Sequence, residues 1–379
     1  MGQTLEAALY LHVPFCRAKC PYCDFYSLPK ALDKVPAYLK ALKTEAKFWA
    51  PKLKGYRLVT FYAGGGTPSL LPPSFYEELF SYLAELFSLE LGEVTLEANP
   101  EGLSLEQLKA YRSLGFNRLS LGAQSFQEKG LCALGRRHTV REIKEAVELA
   151  RRAGFENLSL DLIFAWPGQT LKDLEEELKR AISLGPEHLS CYELTIEEGT
   201  PFGQLYTQGK LILPEEETVV SMYTLIEDFL IASGYEHYEI SNYAKPGWRC
   251  QHNLFYWEAK PYLGLGPAAA SYLDGVRYKN VEDLEAYLTA LLSGKLPPRE
   301  EECLSPEARF REAVILGLRL LEGVSRLRLL QEFGLDLKEY YGPVLEDLIK
   351  KELLEWAGDF LRLTKKGLLL ANQVFSYLV

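Results

Sequence analysis

Six short β-rich runs, each followed by a helical pattern, restrict the folds open to this chain more than any other feature. They lie at Leu9–Val13, Leu58–Ala63, Val94–Glu97, Arg118–Leu121, Leu158–Phe164 and Leu189–Leu194. Parallel strands need long crossovers, and helices supply them, so the alternation predicts an α/β fold with a parallel sheet. The expected helix ends are marked. Ser104 with Gln107, and Thr139 with Glu142, have capping-box spacing, and Gly115, Gly154 and Gly185 stand where helices should stop. A doubly wound sheet and a partial (β/α)6 TIM-like barrel both fit this rhythm. Polar and glycine residues gather at the C-terminal ends of successive strands, which is the active-site mouth of a barrel, so the partial barrel is preferred.

After Pro214 the pattern changes. A helix is expected from Glu215 to Ser233, then strands at Tyr235–Ile240 and Ser271–Lys279, with an aromatic, Gly/Pro-rich segment, Asn242–Pro267, between them. Leu296-Pro297-Pro298 reads as a linker. Ser305-Pro306-Glu307 then opens a helix by N-cap and N1 proline, two shorter helices follow, and Leu354–Thr364 reads as a hairpin turning at Ala357-Gly358-Asp359. The expected division is 1–214 as the core barrel, 215–297 as its extension and 298–379 as a C-terminal winged-helix-like domain.

Winged helices often bind DNA, but from Glu301 onward 11 Lys/Arg face 13 Asp/Glu, and the whole chain has a formal net charge of -10. Phosphate contacts need basic surface, so nucleic acid is not an expected partner. With 47% apolar residues and 12% aromatic, the 379-residue chain can bury a large core. The Met1–Leu11 stretch lacks the basic head and long apolar core of a signal peptide, and no apolar run reaches membrane-spanning length. Cytoplasmic location without a transmembrane segment is the expectation.

Seven cysteines are unevenly spread: Cys16, Cys20 and Cys23 lie together, while Cys132, Cys191, Cys250 and Cys303 are scattered. A secreted disulfide framework does not look like this. The cluster reads Tyr10-Leu-His-Val-Pro-Phe-Cys16-Arg-Ala-Lys-Cys20-Pro-Tyr22-Cys23, a C-x3-C-x2-C spacing directly after the first strand. Three thiolates suit a [4Fe-4S] cluster with one iron left open. A structural zinc, with His12 as fourth ligand, and a CxxC-type redox pair are the alternatives. Further along come Gly64-Gly65-Gly66-Thr67-Pro68, Glu97-Ala-Asn99-Pro100, Gln124-Ser-Phe126, and Asp161 followed by Trp166-Pro167-Gly168. Each alone is as readily a cap or a tight turn. A glycine run at a strand end also lets a ligand approach the backbone.

The cysteine spacing resembles that of the radical S-adenosylmethionine superfamily, in which S-adenosylmethionine chelates the open iron and an electron from the cluster cleaves it. With Arg136, Asp161-Leu-Ile and the motifs above, the chain is similar over almost its whole length to the oxygen-independent coproporphyrinogen III oxidase family. The resemblance implies that Tyr10, Gly65, Gly66, Thr67 and Glu97 surround the cluster-bound S-adenosylmethionine and that Tyr22 packs near its adenine. Tyr22, Gln124, Arg136 and Asp161 match positions that help bind a second such molecule in the oxidase. If the cofactor is cleaved, an electron donor is implied as a partner.

Two departures matter. Phe25 stands where the oxidase has a further cysteine, and only nine residues precede Tyr10, where the oxidase has a long N-terminal extension. His252-Asn253-Leu-Phe-Tyr256-Trp257 matches the HNxxYW signature of a sister group, the HemW-type heme chaperones. That likeness implies a protein that binds heme and passes it to an acceptor protein, with the oxidase as the alternative function. On a helix, His252 and Tyr256 would share a face, and imidazole is a good iron ligand, so His252 is the expected heme contact. Cys250 is an alternative ligand, and a packed aromatic cluster with a hydrogen-bonded histidine is the structural alternative. Ligation needs neutral imidazole, so heme occupancy is expected to fall below about pH 6.5.

Overall fold

The structure, a computed structural model, describes residues 5–379. The first four residues of the N-terminal stretch read above, and of the 1–214 segment, lie outside the described part. Strand β1 (Leu5–Val13) opens the sheet. From Ala7 onward it is buried almost without a break, as a parallel strand covered on both faces must be. The cysteine loop follows, with a small parallel pair, β2 (Phe15–Cys16) and β3 (Leu28–Pro29). Then come α1 (Val35–Trp49), β4 (Tyr56–Gly65), α2 (Pro73–Leu86), β5 (Ser88–Ala98), α3 (Leu105–Ser113) and β6 (Arg118–Gln124). The repeat ends with α4 (Glu128–Ala133), α5 (Val140–Arg152), β7 (Asn157–Phe164), α6 (Leu171–Ser183) and β8 (His188–Glu193). All six expected strands are present, in parallel order β1-β4-β5-β6-β7-β8.

The barrel is open. β1 and β8 do not pair with each other; each edge is extended instead by later strands. After α7 (Pro201–Thr207) and α8 (Glu216–Ala232), β9 (Glu236–Glu239) and β10 (Asn242–Ala244) add to β8. Helix α9 (Gln251–Trp257) leads to β11 (Tyr262–Leu265), which joins β1 in parallel. Next are β12 (Ala270–Leu273), β13 (Val276–Asn280), α10 (Leu284–Leu292) and β14 (Arg299–Cys303), the last of which pairs with β13 in the same sheet. The stretch Ser271–Lys279, expected as one strand, is therefore a hairpin. Asp274 (φ 52°) and Gly275 (φ 77°) are both left-handed, the geometry that a two-residue hairpin turn demands and that an Asp-Gly pair supplies.

A second apolar core begins at Phe310. It packs α11 (Pro306–Gly317), β15 (Val324–Ser325), α12 (Arg326–Phe333), α13 (Leu337–Tyr341), α14 (Pro343–Lys350), β16 (Leu354–Ala357), β17 (Phe360–Leu363), α15 (Lys365–Leu369) and α16 (Ala371–Tyr377). Three short helices, not two, precede the hairpin, because Gly334 (φ 69°) and Gly342 (φ 44°) interrupt the stretch. The three-stranded sheet β15-β17-β16 completes the winged-helix-like unit. It is tied to the barrel extension by Ile240 N–H to Arg319 C=O and Leu321 N–H to Tyr238 C=O, both 3.1 Å.

The predicted caps divide. Thr139 and Glu142 form a complete capping box. Ser104 caps α3, but the Gln107 amide turns away to Ser69 C=O and the Tyr111 hydroxyl, so that box is only half made. Gly115, Gly154 and Gly185 do end helices with positive φ.

Candidate active site at the barrel mouth

One cavity of about 470 Å³ opens at the C-terminal ends of the parallel strands. Cys16, Cys20, Cys23 and Tyr22 line it from the loop after β1, Gly65, Gly66 and Thr67 from the end of β4, and Glu97 from β5. Gln124 lines it from β6, Arg136 from the loop after α4, and Asp161 from β7. The strand periodicity explains the convergence: inward positions recur every second residue, and the βα loops start where the strands stop.

The loop is fastened to the barrel from two sides. Gly66 N–H bonds Val13 C=O at 2.8 Å and Thr67 N–H bonds Phe15 C=O at 2.7 Å, which pins the end of β4 to the start of the cysteine loop. The glycines serve this close approach. A Cβ on Gly66 would stand 2.5 Å from Phe15 O, and one on Gly65, which has φ +102°, would stand 2.6 Å from the His12 ring. The constraint on these two glycines comes from the protein's own packing. On the other side, Phe202 N–H at the start of α7 donates to Pro21 C=O at 3.0 Å, and its ring lies 6.3 Å from that of Tyr22.

Polar side chains cross-link the mouth. Glu97 accepts from the Tyr62 hydroxyl at 2.8 Å and from Gly65 N–H at 3.1 Å. Burial, reinforced by Asp161, pushes its carboxyl up to about 7, against the pull of Tyr62, Gly65 N–H and Arg118. Arg136 donates to Asn99 Oδ1 at 2.5 Å, Gly122 C=O at 3.1 Å and Cys20 Sγ at 3.3 Å, so one guanidinium joins the cysteine loop to two strands. Asp161 accepts from the Ser120 hydroxyl, and burial raises its carboxyl too. Gln124 sits at φ 65°.

The donor set fits an iron–sulfur cubane. Three thiols from one loop face a common cavity, with Arg136 beside Cys20 to balance thiolate charge. Burial disfavours the thiolate form of Cys16 and Cys23, so binding of a cluster there would release their protons. Among the described residues no three His, Cys, Asp or Glu side chains converge tightly enough for a single ion. His12, the fourth ligand in a zinc reading, is turned away: Nε2 bonds Tyr26 C=O at 2.8 Å and Nδ1 the Tyr10 hydroxyl at 3.1 Å.

Two expected site residues lie outside this cavity. Tyr10 stands behind Gly64 and lines a neighbouring groove of about 320 Å³ with Tyr26, Tyr256 and Tyr262; Phe25 and Asp24 border both spaces. His252 is on α9, inside the barrel and only 1% exposed. Its Nδ1 bonds the Thr60 hydroxyl at 2.8 Å and its Nε2 the Tyr256 hydroxyl at 2.9 Å. Burial, with Arg118 nearby, lowers it to about 3, so it is neutral across the physiological range. The pH-6.5 transition expected from an ordinary histidine does not apply to this one. Cys250 is also buried; its thiol, raised to about 12 by burial first, faces Glu93 at 3.5 Å.

Reading the sequence missed Arg118, Tyr62 and Asn253, all of which line the cavity. An arginine beginning an otherwise buried strand was the available signal for Arg118. Asn253 was quoted only as part of a motif, and α9 turns its side chain toward the cavity while His252 anchors the helix.

The chain matches the Radical SAM superfamily over residues 10–181 and the HemN C-terminal domain over residues 304–370. It is 39% identical to a protein named heme chaperone HemW from Bacillus subtilis, over 97% of each chain. It is 34% identical to HemW from Escherichia coli, again over 97% of each. Among solved structures, coproporphyrinogen III oxidase (HemN) from Escherichia coli superposes with a TM-score of 0.85 at 25% identity, covering 99% of this chain and 90% of that one.

Proposed function

This chain belongs to the HemW family of heme chaperones, and on that premise we propose that it binds heme and hands it to an acceptor protein from a radical S-adenosylmethionine scaffold. The observation that carries the reading is full-length identity: the HemW chaperones of Bacillus subtilis and Escherichia coli match at 39% and 34%, while the oxidase, though it shares the fold, matches at 25%. Phe25 in place of the oxidase's further cysteine supports the same side.

In this reading Cys16, Cys20 and Cys23 hold a [4Fe-4S] cluster, which when bound supplies a reducing electron and an open iron for S-adenosylmethionine. Glu97, Gly65, Gly66 and Thr67 form the cofactor's cradle from β4 and β5, with Tyr10 behind them. Tyr22, Gln124, Arg136 and Asp161 line the same cavity, and there a second such molecule is proposed. Cleavage of the cofactor would require an electron donor. A cytoplasmic location is part of this proposal. No helix among the described residues is long and apolar enough to cross a membrane.

Heme is cargo rather than a resident group. The groove bordered by Phe25, which is 67% exposed, and lined by Tyr10, Tyr256 and Tyr262 offers aromatic faces to a macrocycle beside the cluster loop. His252 sits directly behind Tyr256. Ligation of iron by His252 requires that Tyr256 or Thr60 release a ring nitrogen, so loading of heme there is coupled to movement of α9. Anaerobic reconstitution, followed by hemin titration and a coproporphyrinogen III turnover assay on one preparation, tests the assignment. Heme binding without turnover is expected. Sustained turnover to protoporphyrinogen IX would make the chain an oxidase.

A further inference from the structure

Arg118 is 2% exposed, yet its Nε and Nη1 have no hydrogen-bond partner among the described residues. A buried guanidinium is costly unless something compensates its charge. Register places it one inward position deeper than the active-site layer: Glu97 is paired with Ser120, while Arg118 is paired with Thr95. Its side chain still reaches the cavity from below. Glu93, the carboxylate that bears most on it, shares its charge but makes no hydrogen bond to it. It accepts the N–H groups of Gln251 and His252 at 3.0 and 2.9 Å and faces the Cys250 thiol. Arg118 therefore acts on its surroundings by charge and not by a directed bond.

We propose that Arg118 is a positioning residue, a buried positive charge that favours the ionised form of the Glu97 and Asp161 carboxylates under the cofactor site. These two acids line the same cavity, and each discourages ionisation of the other. Their bonds to Tyr62, Gly65 N–H and the serines stabilise negative charge but carry none of the opposite sign. The tyrosines that feel Glu97, namely Tyr10 on β1, Tyr62 on β4, Tyr76 on α2, Tyr192 on β8 and Tyr256 on α9, are all held above their ordinary values and hence neutral. Arg118 is the cation acting on both Glu97 and Asp161. This gives a reason for a charged residue in a barrel interior, where side-chain layers are ordinarily apolar.

The consequence for S-adenosylmethionine rests on the reading of Glu97 as part of its cradle, so the test separates the two claims. Carboxyl-stretch infrared titration of the full chain, with Glu97→Gln used to assign the band, reads Glu97 directly. Replacing Arg118 by Met, or by Gln should the Met variant fold poorly, is expected to raise the Glu97 midpoint by about one pH unit or more, and Arg118→Lys to stay near the parent. Binding of S-adenosylmethionine to the reconstituted protein should then weaken about fivefold at pH 7 for a one-unit rise and recover by pH 9. A midpoint unmoved in the folded Met or Gln variant overturns the proposal, whatever happens to affinity. A raised midpoint with unchanged affinity supports the role of Arg118 and removes Glu97 from the cradle.

Discussion

His252 Nε2 lies 2.9 Å from the hydroxyl of Tyr256, one helical turn away, and this bond closes a chain from Thr60 on the barrel wall to the surface of the aromatic groove. The histidine of the motif is thus a buried anchor and its tyrosine the group presented outward. Tyr256→Phe should leave the fold intact while freeing Nε2, at a cost of about 1–2 kcal/mol for one unmatched buried ring nitrogen. His252→Ala should cost more, about 3 kcal/mol, because two hydroxyls lose partners and a cavity remains. Denaturant melts give the order. In hemin titrations, a larger spectral change in Tyr256→Phe than in the parent would show that release of Nε2 is the step that admits iron.

Acid should destabilise the protein through the same residue. In the unfolded chain this histidine takes up a proton near pH 6.5, whereas in the fold it resists until about 3. The unfolded state therefore binds more protons in that window, and stability falls as pH drops from about 6.5 toward 3. His252→Phe should flatten the decline of Tm between pH 6.5 and 5. Glu97 acts in the opposite direction, its raised carboxyl costing stability as pH rises from about 4.5 to 7.

Replacing Cys16, Cys20 or Cys23 by Ala should abolish reconstitution of a cluster containing about four irons, while Cys132→Ser and Cys303→Ser, both on exposed thiols, should not. Iron and sulfide analysis decides this. Retention of a full cluster after loss of any two of the three would exclude them as its ligands.

Gly65→Ala should reduce folded yield before it touches ligand affinity. The new Cβ meets His12 at 2.6 Å on a backbone at φ +102°, and such strain costs about 1–3 kcal/mol. A variant with parent stability and weakened S-adenosylmethionine binding would instead show that the position serves the ligand.

Glu45 offers a test remote from the site. Wholly buried on α1, it holds Gly266 N–H, the Asn280 amide and the Tyr287 hydroxyl at 2.5–2.9 Å, joining the β11–β13 extension to the barrel's helices. Glu45→Ala should lower stability by about 3 kcal/mol or more, since three polar groups lose one shared partner. Glu45→Gln, which keeps a carbonyl acceptor, should lose less.

The barrel was legible because parallel strands announce themselves as apolar runs and their connections as capped amphipathic helices. The cysteine loop was legible from its spacing, and Gly65, Gly66, Thr67, Glu97, Gln124 and Asp161 from their place at strand ends, whereas Arg136, in the loop after α4, entered only through the family resemblance. What escaped followed from long-range pairing. Nothing local to Tyr262–Leu265 says that it will lie beside β1, and without that pairing α9 cannot be placed inside the barrel or His252 seen to be enclosed. Arg118 was passed over because an isolated charge on a strand does not reveal which face it occupies. The hairpin at Asp274-Gly275 was a plain omission: the turn pair was there to be read.

Strand β1, which delivers the cysteine loop, lies between β4 and β11. One of its neighbours is therefore made about forty residues after it, and the other only about two hundred and fifty residues later. During synthesis the outer edge of β1 stays unpaired until most of the chain has emerged, a long-lived bare edge of the kind that slows folding and invites association with other chains. Birth of the thiol loop thus precedes completion of its support by most of the translation time, and iron delivered early would meet a loop that is not yet held. Cluster insertion is expected to follow release of the finished chain, so truncations ending before Tyr262 should accumulate as metal-free, aggregation-prone fragments.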